Sequence, residues 1–592
     1  MVYPLTRTMT EPSLPRYRRP GPAAGLLLTA AGAFGLAAGP TGPSLAQDSS
    51  KPTRIDRSGA EDPPGNRPTV RVEELGAPGA GSGGTLGDTS GGLGAGLWRG
   101  AALEEVVALI ERLPAANRSP VLHALQRRLL LTVALAPAGK PQSDFLRARL
   151  KALIRMGAVR DTVELAARTR AAAASPYPAI RARFLAGDAK EACAAVAAVP
   201  GATAPFIEQA RIACHILSGH AERAEIALRL LHEQGAPPPR RFEQTVMAVT
   251  AGKWLARPVE PLALTLSMLH SRKVGVKSAN LKNLSTGALI ALSDNPKIRW
   301  TMRVRALERA LARGAPADRK LAALYAGVRA SPQEIADARA TRLRDFDPWA
   351  RAHLYLAAAG AGDPPGRVHI LAAWWRLALG AAMKGDEGAE MLAARLTVPF
   401  LADVSPSPAY QDQAAHIARA YFATGRTREA FAWYRFLKAA PFRNPADLHR
   451  ITVPALLAAA ATRETPETIK SWIGFKRWRN RDSAAVHLAD LKALFDGLGR
   501  AEDIPRPWRS ETAEERKAAR KARPERDAAL LEAAADGRRG LAVLRILTLV
   551  NGRSLRRVPR QILRDAVFGL RAVGLEREAR QLAVESALAR HL

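Results

Sequence analysis

The chain has 592 residues and a formal net charge of +33, from 88 Lys and Arg against 55 Asp and Glu. It is 47% hydrophobic but only 5% aromatic, so its core must be built mainly from Ala, Leu and Val, which suits close-packed helices and leaves little from which to make a sheet. Such a length holds several domains or one series of units whose core grows by repetition, and the joint excess of Arg and Ala points to a GC-rich genome that supplies part of the charge.

At the start of the chain, Arg16, Arg18 and Arg19 precede an apolar run from Ala23 to Ala38. Pro40, Gly42 and Pro43 follow, then Ser44-Leu45-Ala46. A basic segment, a short apolar segment and small residues at the −3 and −1 places are the parts of a secretory signal peptide, so residues 1–46 read as a leader cleaved after Ala46. The run is shorter than the ~20 residues a membrane-spanning helix needs, and no later run is longer, so no transmembrane span is expected in the mature chain. Export places the chain in the periplasm or outside the cell and argues against nucleic acid as a partner. Residues 47–96, rich in Gly, Pro and Ser, read as a disordered linker with one short strand at Thr69–Leu75. Within it, Gly94-Ala95-Gly96 fails as a dinucleotide fingerprint, because the third Gly is misplaced and no βαβ unit surrounds it. Leu97 and Trp98 are expected to dock on the first helix.

From residue 97 to 501 the pattern is of amphipathic segments broken by Gly, Pro or Asn-Pro. Early helices are expected over Ala101–Leu113, Ser119–Val133, with Ser119 as N-cap and Pro120 in the first turn, and Gln142–Met156. A Gly followed five residues later by Ala recurs at Gly187/Ala192, Gly219/Ala224, Gly425/Ala430 and Gly574/Ala579. Gly ends one helix in a left-handed cap and Ala lets the next pack close. The two cysteines, Cys193 and Cys214, fall on the two arms of one expected hairpin, and in an oxidising compartment a disulfide between them is expected. His215 and His220 lie nearby, but these ligands are too few and wrongly spaced for a closed zinc site.

The clearest hairpin is Ala414–Ala439. Ile417, Ala418, Tyr421 and Phe422 form one apolar face, and Ala430, Trp433, Tyr434 and Leu437 form another, with Gly425 as the hinge. Such a hairpin cannot bury its own apolar face and needs neighbours stacked on both sides. Ala418, Tyr421, Gly425, Ala430 and Tyr434 stand at the signature offsets of a tetratricopeptide repeat, which this stretch resembles; it departs at the opening Trp position, here Ala414, and at the closing Pro, one place early at Pro441. The resemblance implies an all-α, right-handed superhelix of antiparallel hairpins whose concave face binds a protein segment.

Beyond it, Lys470–Asp482 interleaves Trp472, Phe475 and Trp478 with basic residues. Trp472, Lys476, Arg477, Trp478, Arg479 and Arg481 form a candidate patch for an anionic partner, although three-residue spacing also suits a core stripe with a solvated edge. Residues 502–526, with Pro505, Pro507 and Pro524, read as a charged linker, and 527–592 as four helices capping the stack. The sequence contains no Walker loop, nucleophile elbow, HExxH, CxxC or EF-hand loop. The eleven histidines read as scattered structural residues. No catalytic residue, cofactor or metal is therefore assigned. The expected function is an exported, non-enzymatic scaffold for a protein segment or an anionic envelope polymer. The alternative is a cell-wall turnover enzyme, or its accessory subunit, with a carboxylate site in the superhelix groove.

Overall fold

The computed structural model describes residues 82–592 apart from 140, 170–175, 200–203, 344, 442–443, 461 and 510–527. The leader at 1–46, the Thr69–Leu75 strand, the linker up to residue 81 and most of the charged segment after Arg509 lie outside the described residues. Those that are described form helices joined by short turns, with isolated bridges but no strand among them.

The first four helices are α1–α4 (Leu103–Glu111, Pro120–Leu131, Gln142–Met156, Val159–Arg168). Ser119 caps α2 as expected, its hydroxyl accepting from the Leu122 N–H with Pro120 next in line. Helices α5–α8 (Pro176–Ala186, Ala189–Ala197, Pro205–Leu217, Ala221–Glu233) and α9–α12 (Arg240–Thr250, Leu262–Ser271, Thr286–Asp294, Trp300–Ala312) follow. Residues between Val159 and Ala315 share a core of their own, to which Phe184, Phe242 and Met268 contribute.

Helices α13–α17 (Asp318–Ala326, Pro332–Arg339, Pro348–Ala359, Pro364–Met383, Ala389–Thr397) and α18–α22 (Ala414–Ala423, Thr427–Ala439, Pro445–Ala458, Thr465–Arg479, Arg481–Gly497) continue the series. After the short α23 (Arg506–Arg509) come α24–α27 (Ala528–Ala535, Arg539–Val550, Arg560–Ala572, Glu576–Ala589). All of these share a second, larger core with α1–α3. Ile290 on α11 packs against both cores.

Sequence neighbours pair along most of the chain, α18 on α19 and α11 on α12 among the most extensive. The Gly/Ala signature explains how. Gly187, Gly219, Gly425 and Gly574 all adopt positive φ, between 74° and 86°, and Ala192, Ala224, Ala430 and Ala579 are all fully buried. A left-handed residue turns the backbone sharply at little cost only when it lacks a Cβ, and a methyl group five residues on lets the returning helix approach.

Three expectations are corrected. Residues 82–96 are packed rather than a loose lead-in. The Thr85 and Leu86 N–H groups donate to Leu131 O at 2.8 and 3.0 Å, and Leu93 is buried. The arginine of α3, Arg149, is itself buried and donates to Gly83 O at 2.7 Å, pinning the start of this strap; burial lowers its pKa to about 10.

The strap leads Leu97 and Trp98 onto α25 and α3 as well as beside α1. Gly540 N donates to Leu97 O at 3.0 Å, and the Trp98 ring meets Phe145 edge-on at 5.4 Å.

Finally, the last helices do not cap one end. Helix α25 packs on α1 and α2, and α27 lies among α2, α18, α20 and α26, with Leu582, Ala583 and Val584 fully buried. In a stack whose units touch only their neighbours, an end helix keeps one polar face in water. Helix α27 is apolar on too many sides for that, so the ends of the series meet.

Candidate functional site

Where the ends meet, the N-terminus of α2 is completed by a carboxyl group from α27. Glu585 Oε2 accepts from the Ser119 hydroxyl at 2.5 Å and Oε1 from the Val121 N–H at 3.1 Å. The first turn of a helix has free N–H groups and a partial positive charge, so an acidic group is well placed there. Burial nevertheless dominates: it pushes the Glu585 pKa up to about 7, against the hydrogen bonds from Ser119, Val121 and Gln581.

On one side of this junction lies a cavity of about 710 Å³, walled by α16–α18, α20–α22, α27 and the start of α2. Its body is apolar: Leu379, Met391 and Leu588 line it, with two stacked pairs. Trp375 lies over His416, ring centroids 6.2 Å apart, and Phe475 over His449 at 4.5 Å. Trp375 is fixed from behind by its indole N–H donating to Thr397 Oγ1 at 2.9 Å.

Polar groups converge at one part of the wall. Arg419 on α18 donates through Nε to Glu390 at 3.0 Å and through Nη2 to Leu588 O at 2.9 Å. Lys476 on α21 donates to His591 O at 2.8 Å and lies over the Trp472 ring. Arg479 and His487 complete this part of the lining.

Cations dominate its field. Burial, then Arg419 and Arg479, lowers Lys476 to about 8. Burial, then Arg450, Arg419 and Arg376, lowers His416 to about 4, and burial followed by Lys476 does the same to His487. His591 is also lowered, by burial and then Arg419. Burial works to raise Glu390, but Arg419, with His591 and His416, brings it below the ordinary carboxylate range. His416, His487 and His591 are therefore neutral at pH 7. Among the described residues no three His, Cys, Asp or Glu side chains come close enough together to hold a metal ion.

On the other side of the junction is a wider cleft of about 1310 Å³, between α2, α4, α17, the α18–α19 turn and α27. Several of its charges are paired, Arg127 with Asp161 and Arg395 with Asp318. Arg160, Arg426 and Arg577, from three separate parts of the sequence, line it exposed and without a carboxylate partner among the described residues. Both spaces reach Pro120, Met391, Ala423 and Glu585.

The candidate basic patch divides. Trp472 is buried in the core, Trp478 is 80% exposed, and Arg477 lies over Trp508. Arg481 is exposed at the start of α22, whereas Lys476 and Arg479 face the cavity. Three-residue spacing advances about 300° around a helix, so each step drifts roughly 60° and the third aromatic lies about 120° from the first. The residues cannot form one stripe.

The hairpin signature does stay together. Ala418, Tyr421 and Ala430 are buried, Tyr434 is half-buried, and the Tyr421 hydroxyl donates to Leu401 O at 3.1 Å. Cys193 on α6 and Cys214 on α7 lie at disulfide distance, Sγ to Sγ 2.03 Å and Cα to Cα 5.6 Å.

Reading the histidines as scattered missed the cavity, where His416, His449, His487 and His591 share a wall. A signal was present in the helical spacing: His416, Arg419 and Ala420 stand at i, i+3 and i+4 beside the apolar face of α18, and Ser483 and His487 at i and i+4 on α22. No family model, no curated protein and no solved structure matches this chain.

Proposed function

We propose that the chain is an exported helical-repeat scaffold, a right-handed tetratricopeptide-like superhelix whose ends meet, and that it binds an anionic partner, a protein segment or an envelope polymer, in the wider cleft. Export rests on the leader-like residues 1–46 and on the pair of cysteines at disulfide distance, a feature of oxidising compartments. The observation that carries the binding assignment is the trio Arg160, Arg426 and Arg577, exposed on one cleft without carboxylate partners among the described residues. Arginines presented this way offer forked donors to carboxylate, phosphate or sulfate groups.

The test is a pull-down from envelope extract with the chain beginning at Gln47, beside a variant carrying R160Q, R426Q and R577Q. Retention should fall with salt and be several-fold lower in the variant, since exposed charges act through a screened field. Equal retention by the two proteins, or no partner at physiological salt, overturns the assignment.

One observation favours the second reading, a cell-wall turnover enzyme or its subunit. Glu585 is a carboxyl raised to about 7 between two open spaces, as a general acid would be. Both of its oxygens are engaged at the cap of α2, which supports the structural role instead. A muropeptide-release assay separates the readings: turnover abolished by E585Q in a folded protein establishes the enzyme.

A further inference from the structure

The smaller cavity is a different kind of place from the cleft. About 710 Å³ is within the ~300–1,000 Å³ typical of small-molecule sites, where an apolar lining is joined by a few placed polar groups. Here three of the polar groups, Lys476, Arg419 and Arg479, are cations that lie within one another's field.

The acids facing them are already engaged. Glu390 is held by Arg419 at 3.0 Å, Glu387 by Arg118 at 2.7 Å and Arg557 at 3.0 Å, and Glu585 by the cap of α2, while Asp490, behind His487, is held by Arg590 at 2.8 Å. Lys476 has three N–H donors and spends one on His591 O. Arg479 has no carboxylate partner among the described residues and lies exposed on the lining. His487 Nδ1 is buried without a hydrogen-bond partner. A buried polar atom left unsatisfied is costly, and a cation lowered by burial and then by neighbouring cations is relieved by a negative charge. The site therefore lacks one anionic group, beside a face built from Trp375, Met391 and Phe475.

We propose that this cavity binds a small amphipathic anion, a single apolar body bearing one carboxylate or phosphate, with the anionic group held by Lys476, Arg479 and Arg419 beside His487 and the body packed on Trp375, Met391 and Phe475. This goes beyond the scaffold assignment and does not rest on it, since the anion-holding residues Lys476, Arg479 and Arg419 are not among those lining the cleft.

Binding draws protons in. An anion at this position raises the affinity of Lys476, His487, His416 and His591 for protons against the field of Arg419, Arg450, Arg376 and Arg556, with Glu390 and Asp490 opposing. The Lys476 contribution is therefore complete below about pH 8, and affinity falls as pH rises above that value.

The experiment is calorimetric titration of the chain beginning at Gln47, below micelle concentrations, with dodecanoate, dodecyl phosphate, dodecanol and inorganic phosphate. Vesicles of anionic phospholipid form a fifth arm. Both amphipathic anions should bind with one site per chain, at least tenfold more tightly than dodecanol or inorganic phosphate, and with net proton uptake between two buffers of different ionisation heat. K476Q and R479Q should each weaken them several-fold, R479Q serving as the exposed, fold-neutral change while helix content is checked for both.

Equal affinity for dodecanol shows a cavity that ignores charge, and equal affinity for phosphate shows an ion site without a body. Binding to vesicles alone shows a surface contact. Each of these overturns the proposal, as do no binding in any arm and unchanged affinity in both folded variants.

Discussion

A carboxyl group buried at the start of a helix holds that helix charged or neutral, and which form it takes depends on what burial costs. Glu585 is at least as deeply enclosed as its hydrogen bonds can offset, so it keeps its proton up to about pH 7, whereas in the unfolded chain it loses it near 4.5. The folded state binds the proton more tightly, so the contribution of Glu585 is complete below pH 4.5 and is lost as pH rises through 7. The change is on the order of 3 kcal/mol over that window. Denaturant unfolding of wild type should therefore show stability falling between pH 5 and 8, and E585Q, which keeps the shape and the acceptor without titrating, should flatten that fall. An equal slope in both proteins would place the titration elsewhere. Arg149 is the opposite case: its buried guanidinium spends its donors on Leu130 O and Gly83 O, and no change of pH near neutrality reaches it.

At the scale of elements, the hairpin is the unit, and its strength depends on how the returning helix is held. The α18–α19 hairpin is locked by aromatics, Phe422 meeting Phe431 edge-on at 5.8 Å and Trp433 fully enclosed. The α6–α7 hairpin buries Ala192, Val196, Ile212 and Ile216 instead, with Cys193 and Cys214 facing each other 21 residues apart in sequence. We propose that they are bonded in the exported protein. Closing a loop of that size contributes roughly 3 kcal/mol on the chain-entropy account. C193S with C214S, or reduction of wild type, should lower the denaturation midpoint by a corresponding amount, and reduction should leave the double variant unchanged. A free-thiol titration that finds both cysteines reactive in the folded, unreduced protein would remove the bond.

For the body from residue 82 onward, the decisive contact is the one between its ends. Gly540 sits where the strap crosses α25, and a Cβ there would stand 2.5 Å from Leu97 O and 2.7 Å from the Trp98 ring. G540A should therefore cost about 1–3 kcal/mol by overpacking, and limited proteolysis should cut residues 82–100 faster than in wild type. A melting temperature equal to that of wild type would show that the strap is not held against α25. The same closure creates the cavity, because α27 supplies Leu588, and the chain just beyond it His591, to a wall otherwise made by α16–α18, α20–α22 and the start of α2.

What could be read from residue order was whatever local geometry decides. Helical periodicity, the Ser119 cap, the left-handed glycines with their alanines, and the hairpin carried by Ala418, Tyr421, Gly425, Ala430 and Tyr434 depend on neighbours within one or two turns, and the helices stand close to where these signals put them. Only the tertiary structure decided that α27 is interior, that Lys476 and Arg479 part company with Trp478, and that four histidines share a wall. Those outcomes depend on contacts between residues up to 466 positions apart, as between Ser119 and Glu585, and no periodic pattern within a helix encodes which distant face it will meet.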